Sequence, residues 1–182
     1  MGAIMDKRIV KTQRKLWTAL FTILATKNID DITVTELCSM ADITRRTFYR
    51  TFSNVPAVFD SYSDYLNEQA RQTLSAQYAD VNELLSAFDR LVTENYTGLR
   101  LIFTDQRHLR LVDNFVDAFY QSLCQVVLNN QHNVHNRLVM KYVASGILGM
   151  MAEWFKSMPE VKYGELAKVV KPMVKSAMGM LT

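Results

Sequence analysis

Arg45, Arg46, Thr47, Tyr49 and Arg50 fall within one short segment, TRRTFYRTF, that begins at Thr44. Guanidinium forks donate bidentately to guanine edges, and hydroxyls bond base edges or phosphates, so this mixture suits nucleic-acid recognition. The spacing sorts the segment. Phe48 and Phe52, four apart, share one helix face, which leaves the arginines, Thr47 and Tyr49 for the other. Thr44 is the natural N-cap of that helix. Just upstream, Thr33 and Glu36 form a T-x-x-E capping box opening a first short helix, with Leu37, Cys38 and Ala41 as its apolar side. Asp42 falls at the turn, where a left-handed backbone is expected, and Ile43 fills the angle between the helices. A braced short helix showing arginines after a tight turn reads as a helix-turn-helix for a DNA major groove. Paired arginines are also a common solvated face, so spacing alone leaves both readings open.

Charge follows the same division. The first sixty residues hold nine Lys/Arg and six Asp/Glu, and the rest holds twelve of each, so the net charge of +3 lies wholly in the first third. A local basic excess is the footprint expected of a DNA-binding module. Lys7, Arg8, Lys11, Arg14 and Lys15 crowd the first helix, near phosphates or simply as a solvated face.

Other chemistry finds little support. His132 and His135 have H-x-x-H spacing, but their Asn/Gln-rich surroundings read as loop and His108 is distant, so they are expected to be solvated rather than metal ligands. There is no Gly-rich phosphate loop or nucleophile elbow, and the carboxylates are scattered. No catalytic residue, metal or cofactor is expected, and the chain is not read as an enzyme. No apolar run approaches the ~18 residues of a membrane span. Met1 to Met5 lead straight into charged residues, unlike a secretory signal. Cys38 and Cys124 lie on apolar helix faces as reduced core residues, which fits a cytoplasmic location, at the nucleoid when bound to DNA.

The elements that must position these groups are all helical. Hydrophobic content of 49% with 6 Gly and 3 Pro leaves ample core and little loop. Beyond the helix-turn-helix, periodicity predicts a connector helix from Asn54 to about Tyr78, a helix over about Asn82–Asn95, a break at Gly98 before Leu99–Phe103, and a helix over about Leu109–Leu128. A polar loop, Asn129 to Asn136, precedes two final helices, about Arg137–Ser157 and Tyr163–Leu181. In the first of these, Leu138, Tyr142, Val143, Ile147, Met150, Met151, Trp154 and Phe155 make a broad apolar surface with Ala144, Ser145, Gly146, Gly149 and Ala152 between them. A helix apolar over most of its circumference must be buried on more than one side. The reading is an all-α fold of about nine helices, with residues 1–54 as a three-helix DNA-binding domain and 55–182 as a helical effector-binding and dimerisation domain.

The first sixty residues resemble the N-terminal domain of the tetracycline-repressor-like (TetR) family of bacterial regulators. Thr33-Val34 matches the capped start of its second helix, Ala41-Asp42-Ile43-Thr44 its Ala-Gly-Val-Ser turn, Phe48-Tyr49 and Phe52 its aromatic signature, and Val58-Phe59 the apolar pair that follows. The chain departs from the pattern at Asn28 and Asp42, where glycine is frequent and both can adopt left-handed geometry. It departs again at Arg46 for glycine, at Thr51 for histidine or tyrosine, and at Val55 for a phosphate-contacting lysine. Tyr142 to Trp154 also resembles, weakly, regulators of dihydroxyacetone kinase genes.

The resemblance implies a sequence-specific regulator, a repressor released by a small molecule, that binds a palindromic operator as a homodimer. Arg45, Arg46, Thr47 and Arg50 become the candidates for base edges; Thr33, Thr35, Thr44, Tyr49, Thr51 and Asn54 those for phosphates. The last two helices would pair with their copies, through Tyr142, Ile147, Met150, Met151, Trp154, Val170, Met173, Val174 and Ala177. An apolar or neutral effector would sit among Phe88, Tyr96, Phe103, Phe115, Phe119 and Tyr120, residues that equally suit an ordinary core. The alternative is a coactivator of the same shape that works mainly through protein–protein contacts.

Overall fold

Helix α1 (Lys7–Leu24) turns Leu16, Trp17, Leu20 and Ile23 inward at helical spacing, and all four are buried. They are described by a computed structural model of residues 7–104, 109–128, 133–158 and 160–182. Eight further α-helices follow among the described residues: α2 (Val34–Met40), α3 (Arg45–Tyr49), α4 (Val55–Leu74), α5 (Val81–Glu94), α6 (Tyr96–Thr104), α7 (Leu109–Val127), α8 (Val134–Ser157) and α9 (Tyr163–Met178). A single 3-10 turn, Ile29–Asp31, separates α1 from α2. No strand occurs among the described residues, and no helix there is long and apolar enough to cross a membrane.

The chain divides into two compact units, Met1–Tyr65 and Leu66–Thr182, and the division falls inside α4. Aromatic packing gives the reason. Trp17 on α1 lies edge-on to Tyr62 at 5.4 Å and beside Tyr65 at 4.9 Å, and Phe21 meets Tyr62 edge-on at 4.6 Å. The Trp17 indole donates to Ser61 Oγ at 2.9 Å. Edge-to-face rings add to the apolar area they bury, so the first turns of α4 are held to α1.

In the second unit, Asp80 caps α5 by accepting from the Asn82 and Glu83 amides at 2.7 and 2.9 Å, and Leu84, Leu85, Phe88, Leu91 and Val92 line its buried face. Two expectations are corrected here. Gly98 does not break the chain; it lies buried in α6, and the interruption falls at Asn95. The polar stretch before α8 is not loop throughout. Asn133 caps the helix by accepting from the Asn136 amide at 2.8 Å, so the helix starts at Val134. Asn136 is wholly buried because its side-chain amide holds the last residue, donating to the Thr182 carbonyl at 2.9 Å and accepting from its N–H at 3.1 Å. Cys38 and Cys124 are buried free thiols, and burial raises the pKa of both.

Candidate nucleic-acid interface

The α2–turn–α3 segment is held by two threonine caps and one strained residue. Thr33 Oγ1 accepts from the Glu36 amide at 3.1 Å and Thr44 Oγ1 from the Thr47 amide at 3.2 Å, as the capping pattern predicts. The Glu36 carboxylate, expected to close the capping box, meets Lys27 Nζ at 2.6 Å instead and ties the turn after α1 to α2. Asp42 has φ 50°, the one left-handed non-glycine backbone among the described residues. Lys15 reaches its carboxylate at 3.2 Å and its carbonyl at 3.5 Å. Asn28, the other expected left-handed position, is extended at φ −74°, because it leads into the 3-10 turn.

This geometry makes the turn testable. Replacing Asp42 by glycine should leave the melting temperature unchanged or slightly raised, since glycine adopts positive φ without strain. Asp42→Val should destabilise by about 1–2 kcal/mol, as a β-branched residue pays the full left-handed penalty. Thermal melts of the two variants distinguish these outcomes, and equal melts would mean that the turn is not strained.

Helix α3 has only five residues, and its two faces separate cleanly. Phe48 is fully buried and Phe52 nearly so, their ring centroids 6.0 Å apart. Arg45, Arg46, Tyr49 and Arg50 are exposed, and Thr47 is half-buried with its hydroxyl 3.0 Å from that of Thr44. Among the described residues none of the three arginines is in an ion pair, so their guanidinium donors face solvent uncommitted. Arg45 Cζ lies 5.8 Å from the centroid of the Tyr49 ring, within cation–π range. Of the other phosphate candidates, Thr33 and Thr35 are exposed at the start of α2, and Thr51 is half-buried beyond α3. Asn54 accepts from the Ala57 amide at 2.8 Å and keeps its own amide hydrogens to donate. Val55 is buried at the first position of α4, so where the resemblance puts a lysine this chain has a core residue.

Of the six effector candidates, Phe88 lines a cavity of about 20 Å³, with room for roughly one water. The others pack against neighbours: Phe119 with Phe88 at 4.7 Å, Phe103 with Phe115 at 6.2 Å, and Tyr96 with Trp154 at 5.5 Å. Tyr120 receives the Arg137 Nε at 3.4 Å, and Lys141 stands over its ring.

The dimer candidates also divide. Ile147, Met151, Trp154, Val170, Val174 and Ala177 are buried by their own chain, as periodicity marks apolar positions without saying which neighbour covers them. Tyr142 and Met173 face outward, and Met150 is half-buried. Leu138 and Val169, each four residues before one of these, complete the exposed stripe and were not among the candidates. His135 Nε2 lies 2.8 Å from the Met180 carbonyl, whereas His108 and His132 fall outside the described residues.

Fold and site together define an all-helical, two-unit protein with a helix-turn-helix near its N-terminus. Its fold is that of the TetR-family transcriptional regulators. It is similar to a TetR-family regulator from Syntrophomonas wolfei at TM-score 0.70 and 13% identity, covering 96% of this chain and 98% of that one. It is similar also to the dihydroxyacetone kinase operon activator DhaS, at 0.67 and 17%, covering 93% and 96%. Thermus thermophilus FadR, a TetR-family repressor in complex with lauroyl-CoA, matches at 0.53 and 17%, covering 93% and 95%. No protein-family model and no curated protein sequence matches the chain.

Proposed function

We propose that the protein is a sequence-specific DNA-binding transcriptional regulator that acts as a homodimer. The observation that carries this reading is the outward face of α3 and its C-cap, where Arg45, Arg46 and Arg50 stand exposed beside a helix anchored by Phe48. In this reading Arg45, Arg46, Thr47 and Arg50 meet base edges, while Thr33, Thr35, Thr44, Tyr49, Thr51 and Asn54 meet phosphates. The homodimer is supported by the apolar stripe on α8 and α9, where Leu138, Tyr142, Val169 and Met173 are each more than half exposed. Gly149 lies along the same face of α8, with open space where a Cβ would stand, so a second helix has room to approach. Two recognition helices related by a two-fold would read an approximately palindromic operator.

Repression relieved by a small molecule is the regulatory form we favour, by likeness to FadR, a repressor whose structure holds lauroyl-CoA. The water-sized cavity beside Phe88 would have to widen to admit an apolar effector. The second reading is a coactivator working through protein contacts, and the likeness to DhaS, an operon activator, bears on its activating sign alone.

Selection of bound duplexes from a random library should recover one palindromic motif. Arg45→Ala or Arg46→Ala should then lose about 1–3 kcal/mol of operator affinity and relax preference at one base position. Failure of both variants to alter binding would overturn the assignment of the recognition face, and recovery of no motif by the folded dimer would favour the coactivator.

A further inference from the structure

The first unit carries a second surface apart from the ten residues assigned to base edges and phosphates. An open groove of about 800 Å³ runs between the outward side of α1 and the end of α2, and none of the ten DNA-contact candidates lines it. Its walls are aliphatic at Val10, Ala19 and Met40, and Met40 is half exposed although it is a large apolar side chain. Its rim is basic. Lys11, Arg14 and Lys15 stand at i, i+3 and i+4, on one face of α1 and within about 6 Å along its axis. Among the described residues neither Lys11 nor Arg14 is in an ion pair, while Lys15 holds Asp42.

From this arrangement we propose that the groove docks an acidic amphipathic helix of a partner protein. Charge complementarity selects the occupant. Carboxylates one turn apart on a partner helix match the spacing of Lys11 and Arg14, the rim cations not held by Asp42, and the apolar side of that helix would cover Met40, as in helix-in-groove recognition. A DNA backbone would satisfy the cations but gains nothing from the aliphatic walls. Because the groove excludes the recognition residues, the partner would bind while α3 remains available to DNA. Such a surface gives either a repressor or a coactivator a means of contacting a second protein, and the inference does not depend on which it is.

The test uses a fluorescent synthetic helix with leucines along one face and glutamates flanking them, titrated with full-length protein at near-physiological salt. Binding is expected, weakened at least about tenfold by Arg14→Glu and similarly by Met40→Glu. Affinity for duplex DNA should change by less than about twofold in Met40→Glu. Lys11→Glu gives a second reading of the rim should either variant fail to fold. Three results would overturn the proposal. The first is no binding of the probe. The second is equal binding of a control peptide with serine in place of leucine, which would reduce the groove to general electrostatic attraction. The third is a loss of DNA affinity in Arg14→Glu with a salt slope flatter by about 0.9, which would make the rim a phosphate contact.

Discussion

Replacing Tyr142 and Met173 together by glutamate is expected to leave a folded monomer that binds operator DNA about 10²- to 10⁴-fold more weakly. The two side chains are 73% and 56% exposed, so neither supports the core of its own chain and the melting temperature should hold. In a two-fold interface each patch faces its own copy, and the four introduced carboxylates would crowd a surface that is otherwise apolar. The fall in DNA affinity follows from losing the linkage between two half-site contacts, since the second contact becomes bimolecular again. Sedimentation and operator titration on the same sample measure both effects. A variant that remains dimeric with unchanged operator affinity would place the interface elsewhere. Gly149→Leu makes an independent check. Nothing lies within 4 Å of a Cβ built there, so a monomer should tolerate the change, whereas a close helix crossing would be forced apart.

Phe48→Ala is expected to remove about 3–5 kcal/mol from the first unit, the range for truncating a fully buried phenylalanine. Set against a typical domain stability of about 5–15 kcal/mol, that loss should melt the unit near ambient temperature. The effect is this large because α3 is only five residues long, well under the length at which a helix holds itself in water. It persists through the Thr44 cap and through Phe48, whose ring sits edge-on to Tyr49 at 5.3 Å and beside Phe52. Two thermal transitions are expected in the variant, the lower from the first unit, with DNA binding lost before the second unit unfolds. A single unchanged transition with normal DNA binding would mean that the recognition helix is anchored in some other way. Tyr49→Phe serves as the control: with half its surface exposed, its stability should match the parent.

Local chemistry carried much of this structure. Thr33 and Thr44 cap their helices because a hydroxyl beside an unpaired amide satisfies it whatever packs around it. Asp42 takes the left-handed turn because the chain must reverse there within two residues, and the spacing of Phe48 and Phe52 decided which face of α3 shows its arginines. Each of these depends on residues no more than about one helical turn apart. The sequence alone therefore determined the all-helical class, the helix-turn-helix and the composition of its outward face.

Tertiary structure decided what periodicity leaves ambiguous. On α8, apolar on nearly every side, sequence gave no rule for dividing Trp154, Ile147 and Met151, which face their own core, from Leu138 and Tyr142, which face out. The division depends on where α6, α7 and α9 pack, and those contacts join residues far apart in the chain. The same holds for the aromatic residues around Phe88 and Phe103, which pack ring against ring across helices, and for Asn136, whose burial makes sense only once Thr182 lies beside it. The basic groove beside Met40 is likewise tertiary in origin: its cations were legible on α1, but only the placement of α2 against that helix supplied the apolar wall.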